Sequence, residues 1–130
     1  MQLLTRRRLI PDGCDSFRFQ LSSLVYDGTL DDTVFAQGGD DLVQLSGGDD
    51  YGHAGTGIDN VFGGVGDDTL EGGRGRDLIE GGAGDDSLAG GGDADEVRGE
   101  EGADRIDGGG GDDQLWGGAD GDTITGGSGG

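Results

Sequence analysis

The sequence has no lysine, a single cysteine, a single proline and a single histidine. It contains nothing close to the 18 or more consecutive apolar residues of a membrane helix. With Cys14 alone, neither an intramolecular disulfide nor a thiolate zinc site can staple the fold. Hydrophobic residues make up 30% of the 130 and aromatics 5%, too little for an ordinary layered core. A formal net charge of −20, with eight Arg as the only standing cations, excludes a nucleic-acid binder, because phosphate backbones recruit clustered Lys and Arg. Such a composition normally leaves a chain disordered, since burial cannot offset the conformational entropy lost on folding. Something other than a hydrophobic core must order it, and hard cations are the natural partners of its acids.

Glycine and aspartate dominate, and they are unevenly placed. Residues 1–26 carry Arg6, Arg7, Arg8 and Arg18 against Asp12 and Asp15, whereas the remainder carries four Arg against 26 acids. The chain therefore divides into an N-terminal segment, 1–26, expected to be partly disordered with a leading strand over 17–26, and an acidic segment, 27–130. Thr5 to Ile10 superficially resembles a twin-arginine export signal, but Pro11 to Asp15 stands where its apolar region should follow.

From Asp27 to Thr125 a nine-residue period runs without insertion or deletion through eleven complete units. The clearest are GGVGDDTLE from Gly63, GGRGRDLIE from Gly72, GGAGDDSLA from Gly81 and GGGGDDQLW from Gly108, giving GGxGxDxUx with U aliphatic. The sixth position is always Asp: Asp32, Asp41, Asp50, Asp59, Asp68, Asp77, Asp86, Asp95, Asp104, Asp113 and Asp122. The eighth is aliphatic in every unit except at Gly52. A flexible Gly/Asp linker would not fix one aliphatic in every nine residues. Glycines at positions one, two and four allow φ > 0 and a close approach of backbones, so that carbonyls turn inward. Positions seven to nine are expected to form a short strand with the eighth side chain inside.

This pattern resembles the hemolysin-type, or RTX (repeats-in-toxin), calcium-binding repeat, over about four-fifths of the chain. The resemblance implies an all-β fold, a right-handed parallel β-roll in which two nonapeptides make one coil and calcium lies between stacked loops. One column of loops would then hold Asp32, Asp50, Asp68, Asp86, Asp104 and Asp122, the other Asp41, Asp59, Asp77, Asp95 and Asp113. Stacked coils lie roughly 4.8 Å apart, so metal-free carboxylates in a column repel one another. Calcium suits such sites because it accepts six to eight oxygens, backbone carbonyls included, in forgiving geometry; magnesium does not, and zinc lacks its N and S ligands here.

The expected metal ligands are those eleven aspartates together with the turn backbone at Gly63, Gly66, Gly72, Gly75, Gly81, Gly84, Gly90, Gly99, Gly102, Gly108, Gly111 and Gly117. Repeats from Gly63 to Thr125 are regular apart from Asp93, Asp120 and Glu100, and support five sites. Repeats in 27–62 are degenerate, through Leu30, Ala36, Gln37, Leu45, Ser46, Gly52 and Ala54, which makes up to four further sites doubtful. Gly126 to Gly130 begin a twelfth repeat and stop one residue before its Asp, so the array reads as truncated, without the secretion signal and cap of type I exported relatives.

No catalytic constellation is expected. Gly126 to Gly130 spell GxSxG without strand–turn–helix context, His53 reads as a solvated outward side chain, no HExxH occurs, and acid pairs such as Asp67–Asp68 and Asp112–Asp113 recur too regularly for an acid–base pair. The reading is a secreted, monomeric, non-enzymatic module that binds several Ca²⁺ ions and folds with them. The alternatives are a surface adhesion or interaction module, in which Phe35, Phe62 and Trp116 mark a contact, or the C-terminal repeat region of a larger exported enzyme or toxin.

Overall fold

A computed structural model describes residues 16–18, 24–25 and 29–129. It contains thirteen strands and, among the described residues, no helix. In chain order they are β1 Ser16–Arg18, β2 Leu24–Val25, β3 Thr33–Phe35, β4 Leu42–Gly47, β5 Tyr51–Thr56, β6 Asn60–Val65, β7 Thr69–Arg74, β8 Leu78–Ala83, β9 Ser87–Gly92, β10 Glu96–Glu101, β11 Arg105–Gly110, β12 Gln114–Ala119 and β13 Thr123–Thr125. Odd strands form one seven-stranded sheet and even strands a six-stranded one, all neighbours parallel. From β3 onward each strand pairs with the one 18 residues away, as in Thr69↔Ser87 and Leu78↔Glu96. The chain thus coils as a β-solenoid, two nonapeptides per turn.

The strands are longer than the nonapeptide suggests. Each full strand runs from position seven of one repeat to position three of the next, leaving only positions four to six to bend the chain. Side chains at positions eight and one both face inward, giving the alternation of buried residues along β6 and β7. Val34, Val43, Val61, Leu70, Ile79, Leu88, Val97 and Ile106 form the buried column. Leu115 is only partly buried, and Ile124, on the outermost strand of its sheet, is 47% exposed, so the eighth position is not interior throughout.

Gly52 proves to be compensated. Leu45, at position one on β4, is fully buried, and its Cδ1 lies 3.2 Å from where a Cβ on Gly52 would stand, as does Leu70 Cδ2. The leucine reaches across the roll and fills the space that the glycine leaves.

At the leading end, β1 and β2 pair with β3 and β4 at offsets of 17 and 19 residues, as Phe17↔Val34 and Leu24↔Val43. They extend both sheets by one strand each; the rest of the 17–26 strand expected from sequence lies outside the described residues.

Positive φ occurs at positions two and four but not at position one. Where the repeat departs from glycine at these two positions the strained φ remains: Gln37 (81°), Ser46 (76°) and Glu100 (85°) at position two, Asp93 and Asp120 (both 78°) at position four. Gly75, with φ 122°, shows why glycine is the rule, since a Cβ there would overlap the Gly57 carbonyl of the preceding coil. Gly75→Ala is expected to destabilise the calcium-saturated protein by on the order of 3–5 kcal/mol, whereas Asp93→Gly should stabilise it by about 0.5–1 kcal/mol. Denaturant midpoints measured side by side check both signs.

Candidate metal centre

The bends at positions four to six place every sixth-position Asp at the inner edge of its loop, and the coil repeat stacks them in two columns. Asp32, Asp41, Asp50, Asp59, Asp68, Asp77, Asp86, Asp95 and Asp104 are all buried, most of them at 3% exposure or less. Each Oδ1 from Asp50 onward is held by the backbone of the preceding coil. Asp50 N–H donates to Asp68 Oδ1 at 2.8 Å, Asp68 N–H to Asp86 Oδ1 at 2.8 Å and Asp77 N–H to Asp95 Oδ1 at 2.9 Å, with Asp95 and Asp104 reaching Asp113 and Asp122 at 3.0 Å.

The second oxygen is different. Oδ2 of Asp50, Asp59, Asp68, Asp77, Asp86, Asp95, Asp104 and Asp113 is buried and accepts no hydrogen bond. A carboxylate taken out of water with one oxygen unpartnered is costly, and similar groups one coil away add repulsion. Burial, aided by the neighbouring carboxylates and opposed by the backbone N–H, pushes Asp68, Asp77 and Asp86 up to about 6 and Asp50 and Asp95 up to about 7. Burial likewise raises Asp41 to about 6, followed by the charges of Asp59 and Asp40, and raises Asp59 and Asp104. These groups call for a positive charge or a proton.

Position one supplies the other side of the cradle. A Cβ on Gly72 would stand 2.5 Å from Asp77 Oδ2 and 2.7 Å from the Gly90 carbonyl oxygen; on Gly90, 2.6 Å from Asp95 Oδ2 and 2.7 Å from Gly108 O. Gly108, with Asp113 Oδ2 at 2.5 Å and Gly126 O at 2.8 Å, repeats the arrangement, as do Gly63 and Gly99 with their own Asp and the carbonyls of Gly81 and Gly117. Glycine is required there not for a positive φ but because a side chain would displace the converging oxygens. Gly81 and Gly117 meet Asp86 and Asp122 in the same way.

The position-four glycines Gly66, Gly75, Gly84, Gly102 and Gly111 serve stacking. Each packs against the position-four carbonyl of the coil before it, and Gly66 and Gly84 N–H donate to Ala83 and Glu101 oxygens.

Among the described residues no three His, Cys, Asp or Glu side chains converge. Each loop offers one buried carboxylate, so the further inward donors must be carbonyls, and an all-oxygen set of that kind fits a calcium ion rather than zinc. In such a site the aspartate Oδ2 and the position-one carbonyl of the next loop are the atoms that would hold the ion.

A second acidic column went unseen in the sequence. At position five, Asp31, Asp49, Asp67 and Asp85 are exposed, and each Oδ1 accepts a backbone hydrogen bond from the following coil: from Asp49, Asp67, Asp85 and Ala103 N–H, at 2.8–2.9 Å. The opposite edge has the same bond from Ile58 N–H to Asp40 at 2.9 Å. The adjacent acids of a pair such as Asp67–Asp68 therefore have different roles, the fifth capping the next coil and the sixth the previous one. The signal was present as an Asp at position five in four successive loops of one column.

Of the remaining candidates, Ser128 of the GxSxG match pairs with Gly110 in a parallel bridge. His53 is half-buried rather than freely solvated, with Nδ1 3.7 Å from Glu71 Oε2 and its ring edge-on to Phe35 at 6.1 Å.

A family model of four RTX calcium-binding nonapeptide repeats matches three times in succession, at residues 26–61, 62–97 and 98–130. Comparison with curated proteins and with solved structures returned no match. Repeat, coil register and inward acids agree with that result, and the chain belongs to the RTX calcium-binding nonapeptide-repeat family.

Proposed function

We propose that this chain binds several Ca²⁺ ions between its stacked loops and that binding drives its folding. The observation that carries the proposal is the row of buried Asp Oδ2 atoms without hydrogen-bond partners, of which those of Asp68, Asp77, Asp95, Asp104 and Asp113 face a carbonyl across a cradle kept open by glycine. The bound ion would supply the positive charge that two stacked carboxylates need in order to stay ionised together. The residues of the chain do the rest: the N–H of the preceding coil fixes Oδ1 and so points Oδ2 into the loop. Sites of this oxygen-rich kind in extracellular modules bind at about 10⁻⁴ to 10⁻³ M, an affinity suited to a working environment outside the cell, where calcium is millimolar. On this reading the role is that of a secreted, monomeric, metal-dependent module rather than an enzyme. Isothermal titration of the full chain with calcium at pH 7.5 is expected to show several ions bound in the sub-millimolar to millimolar range; absence of binding at millimolar calcium overturns the proposal.

A specific observation favours a second role beside the first, that of an interaction module. The outward faces carry Phe35 against Tyr51 at 5.7 Å and a 46%-exposed Trp116 beneath the Arg98 guanidinium at 5.3 Å, aromatic surfaces of the kind that anchor contacts. Such a module also suits the repeat region of a larger exported enzyme or toxin.

A further inference from the structure

Position one differs between the two halves of the roll. From Gly63 to Gly117 it is glycine in every complete repeat, and the point that a Cβ would occupy is bounded by the Oδ2 of the same repeat's Asp. At Gly63, Gly72, Gly90, Gly99 and Gly108 the carbonyl of the next stacked loop also bounds it. In the earlier repeats that point holds a real side chain: Ala36, Leu45 and Ala54, buried at 3%, 0% and 0% exposure. They begin the repeats that contain Asp41, Asp50 and Asp59; Asp32 and Asp41 N–H donate to Asp50 and Asp59 Oδ1 at 2.8 and 2.7 Å, while both carboxylate oxygens of Asp41 are buried without a hydrogen-bond partner. Their Oδ2 atoms are buried and unpartnered like those of the later loops, and what differs is the side chain at position one.

The substitution at Leu45 is built into the packing. Its Cδ1 fills the interior over Gly52, the one repeat with no aliphatic at position eight, so the two departures from the repeat balance in volume. A leucine accommodated in this way makes the coil apolar where later coils leave a polar cradle.

Resting on the calcium reading above, we infer that the residue at position one decides whether a gap between stacked loops takes a cation. Ala36, Leu45 and Ala54 close three gaps, and calcium binding among the described loops is confined to the gaps led by Gly63, Gly72, Gly81, Gly90, Gly99 and Gly108. The roll therefore has two kinds of coil, an apolar-filled base and a cation-filled remainder.

Calcium stoichiometry of the full chain, measured by equilibrium dialysis in millimolar calcium at physiological salt, tests this. Ala54→Gly is expected to bind one ion more than the parent, and so is the paired change Leu45→Gly with Gly52→Val, which reopens the cradle while returning an aliphatic to the core. Gly72→Ala is expected to bind one ion fewer. A parent chain that binds no calcium overturns the calcium reading itself. A parent that binds calcium while Ala54→Gly and the paired variant leave the count unchanged overturns this inference alone. Should Gly72→Ala fail to fold, the two gain-of-site variants decide the matter.

Discussion

In a chelator at pH 7.5 and low ionic strength the protein is expected to lose most of its β-sheet circular dichroism, and millimolar calcium to restore it, while equal magnesium does not. The argument starts from the interior. Its enclosed apolar side chains are Val, Leu, Ile and Ala, one or two per nine residues, and only 30% of the chain is hydrophobic. Solenoid coils contact only their neighbours, so no distant part of the chain contributes to holding a given coil. Against that thin core stand buried carboxylates repeating at each coil, roughly 4.8 Å apart by the spacing of parallel strands. At that distance two charges repel by about 1 kcal/mol in water and by several-fold more where water is excluded, and the cost is repeated down both columns. A divalent ion in each glycine-led cradle reverses the sign of that term. Magnesium, smaller and reluctant to shed water, is poorly served by loops that offer one carboxylate and several carbonyls. Since no preformed site exists in the unfolded chain, binding and folding free energies become one quantity. Full β structure persisting in the chelator would remove the coupling and leave calcium an accessory to a fold that stands without it.

What could be read from the sequence followed from the local character of the fold. The invariant sixth-position Asp and the aliphatic at the eighth are properties of a single repeat, and the structure stacks and buries them where the period puts them, from Val34 to Ile106. The 18-residue turn came from resemblance and not from the nine-residue period, which is equally compatible with other coil sizes. Features that depend on that number were correspondingly hidden. The ladder from Asp31 to Ala103 becomes intelligible only when residues 18 apart are known to be stacked. The exchange between Leu45 and Gly52 joins opposite sheets, so each residue taken alone looks like decay of the pattern. The reason for glycine at position one was likewise invisible, because it depends on a carboxylate five residues later and a carbonyl in the next coil. Ile124 illustrates the converse: the period makes it interior, but burial of an eighth-position side chain needs a coil on each side, and β13 is an outer strand.

Protons and calcium should act as partial substitutes for one another. The folded-state values of Asp41, Asp68, Asp77 and Asp86 lie at about 6, and those of Asp50 and Asp95 at about 7, against 3.8 for the same group in the unfolded chain. A raised value means that the metal-free fold binds more protons than the unfolded chain between these limits, so its stability falls as pH rises through that interval. The contribution is fully present below about pH 3.8 and gone above about pH 7. In chelator, acidification from pH 7.5 toward 4 is therefore expected to return β-sheet signal that neutral pH abolishes, because a protonated carboxyl loses its repulsion and can remain buried. The calcium-loaded protein should show the opposite trend in affinity. Protons compete for the same oxygens, so the calcium concentration needed for half-saturation rises steeply as pH falls below about 7, the value of Asp95 in a glycine-led gap. Circular dichroism at several pH values with and without chelator, with sedimentation to confirm a monomer near the pI of 4.1, checks both arms. A chelated protein whose β signal is unchanged, or weaker, at pH 4–5 than at pH 7.5 would show that the carboxylates are not what unfolds the metal-free roll. The position-five ladder supplies an internal control. Asp31, Asp49, Asp67 and Asp85 are exposed and already hydrogen-bonded, and their charges add less than burial does, so replacing them with Asn should leave most of the acid-induced recovery in place, whereas Asn at Asp68 and Asp86 should shift part of that recovery to neutral pH.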